Sequence, residues 1–223
     1  MIPRAAWGQS MKLASNILKN IILCTFFLCM SAGVLSTPAQ AKYASLVIDA
    51  DTGEILHATN EETRNYPASL TKMMTLYMIF DGLERKRWSL STKLKVSRRA
   101  ARQPASKLGL RAGSTITVKQ AILALATKSA NDVATTVAEN ISGRERNFAL
   151  KMTAKARSLG MYKTTFRNAS GLPHRAQMST AKDMSILARA LLRDFPKYYH
   201  YFSTQSFRYN GVKYSTHNKL LKT

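Results

Sequence analysis

The chain has 223 residues, 45% of them hydrophobic, with 34 Lys or Arg against 12 Asp or Glu, a formal net charge of +22. Both cysteines, Cys24 and Cys29, lie near the N-terminus, which excludes a disulfide framework for the remainder. So large a cationic excess suits an anionic environment such as a membrane surface or an acidic polymer.

Residues 1–41 read as a signal peptide. Arg4, Lys12 and Lys19 form a basic leader, residues 21–35 are mostly apolar, and Ala39-Gln40-Ala41 is an A-x-A cleavage site. The apolar stretch is short for a membrane span. Cleavage after Ala41 leaves 31 basic and 12 acidic residues in 42–223, a net charge of +19. The basic residues are dispersed and not interleaved with aromatic side chains. Together with the export signal, this predicts no nucleic-acid partner and leaves association with a membrane surface open.

Residues 43–60 predict a β-hairpin around Asp51-Thr52-Gly53. Pro67 disfavours helix before Ala68, and the run Met73, Met74, Leu76, Tyr77, Met78, Ile79, Phe80 predicts a buried helix opening at Ser69 and ending near Asp81-Gly82. Residues 90–96 predict a short strand, and residues 97–117 read mainly as loop. Further helices are predicted over 118–127, from Asp132 to Gly143, from Glu145 to Leu159, and from Thr180 to Asp194, ahead of Pro196. Asn210-Gly211 between Phe207-Arg208-Tyr209 and Val212-Lys213-Tyr214 signals a second hairpin. No repeats, low-complexity tracts or linkers interrupt the pattern. It describes one helix-rich domain with few strands, and two isolated strands are marginal in water.

Two short motifs carry chemistry. Ser69-Leu70-Thr71-Lys72 places a hydroxyl and an amine on one helix face, the minimum for making a serine nucleophilic without histidine. Ser129-Ala130-Asn131-Asp132 fits the second motif of the same chemistry, and the third, Lys-Thr-Gly, is not found. Ser-x-x-Lys also occurs as Ser179-Thr180-Ala181-Lys182, which reads as a helix start with Thr180 as N-cap and Asp183 three residues on. Ser129 and Asn131 are also residue types that cap helices and form turns, and Asp132 reads as a helix N-terminal charge. His57, His174, His200 and His217 lack metal-ligand spacing, so neither a metal nor a cofactor is expected.

These motifs, their order and the segments Phe166-Arg167-Asn168-Ala169-Ser170-Gly171-Leu172-Pro173 and Asn218-Lys219-Leu220-Leu221 together resemble the low-molecular-mass penicillin-binding proteins, serine D-alanyl-D-alanine carboxypeptidases. The resemblance implies an α+β fold like that of the β-lactamases and transpeptidases, a helical region on a five-stranded antiparallel sheet. It implies location in the periplasm or at the outer face of the cytoplasmic membrane, peptidoglycan stem peptides as substrates and β-lactams as inhibitors. Ser69 becomes the nucleophile, Lys72 its base, Ser129 the proton relay to the leaving amine, and Asn131 the holder of the substrate amide. In the family, Lys-Thr-Gly follows the segment matching Asn218 to Leu221, binds the terminal carboxylate and leads into the last strands. The expectation is therefore an incomplete domain over 42–223 with impaired activity. Two other readings stand beside it, a serine β-lactamase and a non-catalytic basic protein that binds the cell envelope.

Overall fold

The computed structural model describes residues 43–221. The expected leader and the terminal Lys222-Thr223 lie outside the described residues.

The first hairpin pairs β1 (Ser45–Ile48) with β2 (Ile55–Thr59), antiparallel, with Ser45 opposite Thr59 and a register irregularity beyond Val47. Asp49 sets the turn: its Oδ1 accepts from Asp51 N at 3.0 Å and Thr52 N at 2.7 Å, and Gly53 takes the positive φ that closes it. A 3₁₀ turn, Ala68–Leu70, then leads into α1 (Thr71–Glu84). This helix is the centre of the core. Met74, Leu76, Ile79 and Phe80 are buried on it, and Phe80 stacks on Tyr198 at 4.9 Å between ring centroids.

α1 runs two residues past its expected end near Asp81-Gly82, to Glu84. Gly82 is a contact residue, because its missing side chain makes room for the Trp88 indole, whose Nε1 donates to Ile79 O at 3.1 Å. Residues 97–117 are also more ordered than a loop. They contain α2 (Arg98–Ala101), capped by Ser97 Oγ accepting from Ala100 N at 3.0 Å, and β4 (Thr115–Thr117). β4 pairs antiparallel with β3 (Lys93–Lys95), burying Leu94 and Ile116 and leaving Lys93 and Lys95 outward. Strands of three residues with Lys or Thr at two positions carry too little apolar alternation to be read from sequence.

Two helices follow, α3 (Val118–Leu123) and α4 (Asn131–Ser142). A Thr117–Gln120 capping box opens α3, which widens into a π turn over Ala124–Lys128 rather than continuing as α-helix to residue 127. Val133, Ala134, Val137 and Ala138 are fully buried on α4, which packs against α1. Helices α5 (Glu145–Ser158) and α6 (Ala181–Asp194) flank this pair, and a 3₁₀ stretch (Pro196–Ser203) brings Tyr198 onto Phe80. Thr180 caps α6, its Oγ1 accepting from Asp183 N at 3.0 Å. The last pair is β5 (Ser206–Tyr209) with β6 (Val212–Ser215), turning at Asn210-Gly211.

The architecture is α+β, a helical core carrying three separate two-stranded antiparallel sheets among the described residues. The first hairpin exposes Val47, Ile55 and Leu56. Between it and α6 runs a groove of about 700 Å³ lined by Leu46, Ile48, Ile186 and Leu192.

Asp132 does more than charge the α4 N-terminus. Its fully buried carboxylate accepts from Leu108 N (2.9 Å), Gly109 N (2.8 Å), Leu110 N (3.0 Å) and Val133 N (2.9 Å), clasping the 104–113 loop to α4. Asp132→Ala strands several buried donors, each costing about 1–3 kcal/mol. The variant is therefore expected to lose at least about 3 kcal/mol in urea denaturation, comparable to breaking a buried ionic contact. A loss below about 1 kcal/mol would show that the loop is held by other groups.

Candidate active site

Ser69 sits in the 3₁₀ turn that precedes α1, and its side chain is exposed. The approach is constrained. Pro67 is buried, and Ala68 takes φ +45, a left-handed conformation that costs an L-residue about 1–2 kcal/mol. What holds it there is the Asn168–Pro173 loop. Gly171, at φ +88, lies so close to the Ala68 carbonyl that any Cβ at position 171 would collide with it.

Lys72 occupies the first turn of α1 but points inward and is only 3% exposed. Its Nζ donates to Ser170 O at 2.6 Å. No carboxylate pairs with it among the described residues, and burial pulls its pKa down to about 8. The neighbouring Thr75, one turn further along the same face, donates from Oγ1 to Ala169 O at 2.7 Å. Two side chains of α1 thus grip consecutive carbonyls of one loop.

The Ser129 motif arrives from the other side. The π turn ends at Ser129 in left-handed conformation, φ +56, so the chain reverses and starts α4 at Asn131. Ser129 Oγ is buried without a hydrogen-bond partner among the described residues, an arrangement that costs stability where no reaction partner uses the hydroxyl. Asn131 is 5% exposed; its backbone N donates to Ser106 O at 2.7 Å and its Nδ2 to Pro104 O at 3.1 Å. Both the π turn and α4 pack against α1, the helix that carries Lys72. The segment after β6 returns to the same turn, where His217 N donates to Thr127 O at 3.2 Å.

The second Ser-x-x-Lys stays apart from this chemistry. Ser179 is buried with Oγ 2.8 Å from Thr164 Oγ1, while Lys182 turns outward to Glu62 at 2.6 Å. The described residues contain no group of His, Cys, Asp and Glu able to hold a metal ion.

The sequence of the 166–173 segment announces no role for its residues. The structure makes it the floor beneath Lys72. Asn168 Oδ1 accepts from Gly171 N at 2.7 Å and Ser170 N at 3.2 Å, while Gln177 Oε1 accepts from Arg167 N at 3.0 Å and Asn168 N at 3.1 Å. Asn-x-Ser-Gly is a turn signal in its own right, through Asn accepting from the backbone just ahead of it. The distant anchors Gln177 and Glu145 carry no such signal.

The buried amine makes stability depend on pH in a definite sense. Lys72 is harder to protonate folded, at about 8, than unfolded, at its ordinary 10.5. Between those values the unfolded chain binds the extra proton, so this group adds stability as pH rises from 8 to 10.5 and costs most below 8. Lys72→Met is expected to remove that rise, up to about 3 kcal/mol, from denaturation curves measured across the window. An unchanged slope would place the amine in water.

Comparisons with known proteins identify the family of the chain. A family model described as D-alanyl-D-alanine carboxypeptidase matches residues 33–223. The chain is 36% identical over 186 residues to the D-alanyl-D-alanine carboxypeptidase DacF of Bacillus subtilis, covering 82% of this chain and 48% of that protein. Among solved structures, penicillin-binding protein 5 of Haemophilus influenzae superposes with a TM-score of 0.78 at 32% identity, over 85% of this chain and 56% of that one. Penicillin-binding protein D2 of Listeria monocytogenes in its ampicillin-bound form superposes with a TM-score of 0.71 at 30% identity, over 80% and 73% respectively. The chain spans about half the length of the curated relatives it matches. With a family model matching from residue 33 to residue 223, the chain belongs to the D-alanyl-D-alanine carboxypeptidase family.

Proposed function

We propose that this domain is a serine-type D-alanyl-D-alanine carboxypeptidase acting on peptidoglycan stem peptides, with β-lactams as inhibitors. The observation that carries the reading is the pairing of an exposed serine at the mouth of α1 with a buried, carboxylate-free lysine one turn on. At a pKa of about 8, about one amine in ten is neutral at pH 7, against a few in ten thousand for an ordinary lysine. In this scheme neutral Lys72 Nζ takes the Ser69 hydroxyl proton as Oγ bonds to the carbonyl carbon between the two D-alanines. The Ser69 N–H supplies one donor to the oxyanion, a feature whose loss costs about 10²–10³ in rate. Ser129 Oγ passes a proton to the leaving D-alanine nitrogen as the C–N bond breaks. Asn131 holds the substrate amide. Water then attacks the Ser69 ester and restores the enzyme. Export across the cytoplasmic membrane, on the leader at 1–41, belongs to the same proposal.

Labelled penicillin followed by peptide mapping tests it. Label is expected on Ser69 and lost in Ser69→Ala. Lys72→Arg keeps the charge but cannot release a proton, and should slow acylation by at least about 100-fold. Label on Ser179, or Lys72→Arg acylating within tenfold of the parent, would refute these roles.

A second reading, association with an anionic envelope surface, is favoured by one feature of the charge distribution. Residues 85–131 carry twelve Lys or Arg and no Asp or Glu. Lys93, Lys95, Arg98, Arg102, Lys107 and Arg111 are exposed there and make no ion pair among the described residues. The attachment proposed is electrostatic, and no described helix is long and apolar enough to cross a membrane. The protein should co-sediment with phosphatidylglycerol vesicles at low salt and be released at about 1 M salt, where the screening length falls to about 3 Å. Equal binding to phosphatidylcholine vesicles would overturn the reading.

A further inference from the structure

We propose that Glu145 is a positioning residue for Lys72, fixing through its buried carboxylate the Ala169–Ser170 segment whose carbonyl holds the lysine amine. The inference rests on the reading of Lys72 as the base and adds a residue that touches neither the amine nor the nucleophile.

An acidic residue in the first turn of a helix needs no special account when it faces water, because the positive end of the helix favours it there. Glu145 does not face water. It is 5% exposed, and its carboxylate turns from the start of α5 into the protein. Oε1 accepts from Ala169 N at 3.1 Å and from Thr135 Oγ1 of α4 at 3.4 Å. Oε2 accepts from Arg99 Nη2 at 2.6 Å. Arg99 reaches in from α2 while remaining 65% exposed, so the buried charge is compensated by a cation whose own solvation is largely kept.

The Ala169 peptide is therefore held at both ends. Its N–H is taken by Glu145 on α5, its carbonyl by Thr75 on α1, and the next carbonyl, that of Ser170, accepts from Lys72 Nζ. Asn168 and Gln177 stiffen the loop on either side, but neither takes the Ala169 N–H, and without Glu145 that peptide could rotate about the Thr75 bond. Glu145 removes that freedom and sets the distance between the Ser170 carbonyl and α1. A looser segment lets water reach Nζ, and an amine in water keeps its proton. Charge acting directly on Lys72 does not account for the arrangement. The buried carboxylates on helices packed against α1 are Asp132, Glu145 and Asp183. Asp132 is spent on backbone N–H groups, Asp183 on Lys163 N and the Thr164 hydroxyl, and none pairs with Lys72.

The test is competitive acetylation of lysines with acetic anhydride across pH 6–10 on the full chain, with the Lys72 peptide followed by mass spectrometry. In Glu145→Ala the midpoint for Lys72 labelling should rise by about one unit, leaving about tenfold fewer neutral amines at pH 7. Glu145→Asp keeps the charge and the Arg99 pairing but draws the carboxylate back from Ala169 N, and should show the same rise. Glu145→Gln retains an acceptor for that N–H and should stay at the parent midpoint. Phe148→Leu, in the core on the same helix and without a bond to the 169–170 segment, controls for general loosening. It should lower the melting temperature and leave the midpoint in place. An unmoved midpoint in both Glu145→Ala and Glu145→Asp, or an equal rise in Phe148→Leu, overturns the proposal. Penicillin labelling of the parent separates the two claims. A parent that is never acylated, with the Glu145 shift present, refutes the catalytic reading and leaves the positioning role standing.

Discussion

The structure turns on one hydrogen bond, from the Lys72 amine to the Ser170 carbonyl, made where water does not reach. A lysine at the start of a helix ordinarily swings into solvent, where its charge is stabilised without cost. Here it is drawn inward, and the only compensation among the described residues is a neutral acceptor. Burial lowers the affinity of the amine for a proton and the neutral carbonyl does not restore it, whereas a carboxylate in the same place would have raised it. The rest of the site consists of what is needed to keep that carbonyl still.

The helices and the loop divide this work. α1 supplies Lys72 and Thr75, and the 3₁₀ turn that runs directly into it carries Ser69, so the nucleophile and the two side chains that grip the loop share one continuous frame. The Asn168–Pro173 loop is stiffened from within by Asn168 and from outside by Gln177. Gly171 then lets it press against the peptide that precedes Ser69. One loop thus contacts both the approach to the nucleophile and the amine of its partner. Asp132 does for the 104–113 loop what Glu145 does for 168–173, offering a buried carboxylate to backbone N–H groups. Through that clasp the Pro104 and Ser106 carbonyls that hold Asn131 are carried on the same scaffold. Charged-to-backbone hydrogen bonds of this kind are stronger than neutral ones, which suits loops that have no secondary structure of their own.

Strand content is where the helical core stands apart from its surroundings. Each described sheet has two strands, and pairs of strands need packing to persist. The first hairpin gets part of that from α6, where Arg189 donates to Ala50 O and Asp51 O at 3.1 and 2.9 Å. Its other apolar residues, Val47, Ile55 and Leu56, remain open to solvent. The helices need no such help, because α1 and α4 bury each other.

How much of this the sequence determined follows the range of the forces involved. Helix periods, the Thr180 cap and the Asn210-Gly211 turn are local, and they were legible, as were Ser69-x-x-Lys72 and Ser129-x-Asn131, because their spacing matches a helix turn and a tight reversal. The same reading missed α2 and β4, whose elements are too short to express a period, and took Gly82 for a helix end when it is the seat of Trp88. Nor does the sequence say what would lower the pKa of Lys72. Tertiary structure selected burial, because whether a side chain is dry depends on what folds over it, here a loop almost a hundred residues away. Glu145 shows the same limit. In sequence it is an acid at the start of a helix; only the fold brings it against Ala169, since a contact between two loop-closing segments is fixed by packing and leaves no periodic trace in the chain.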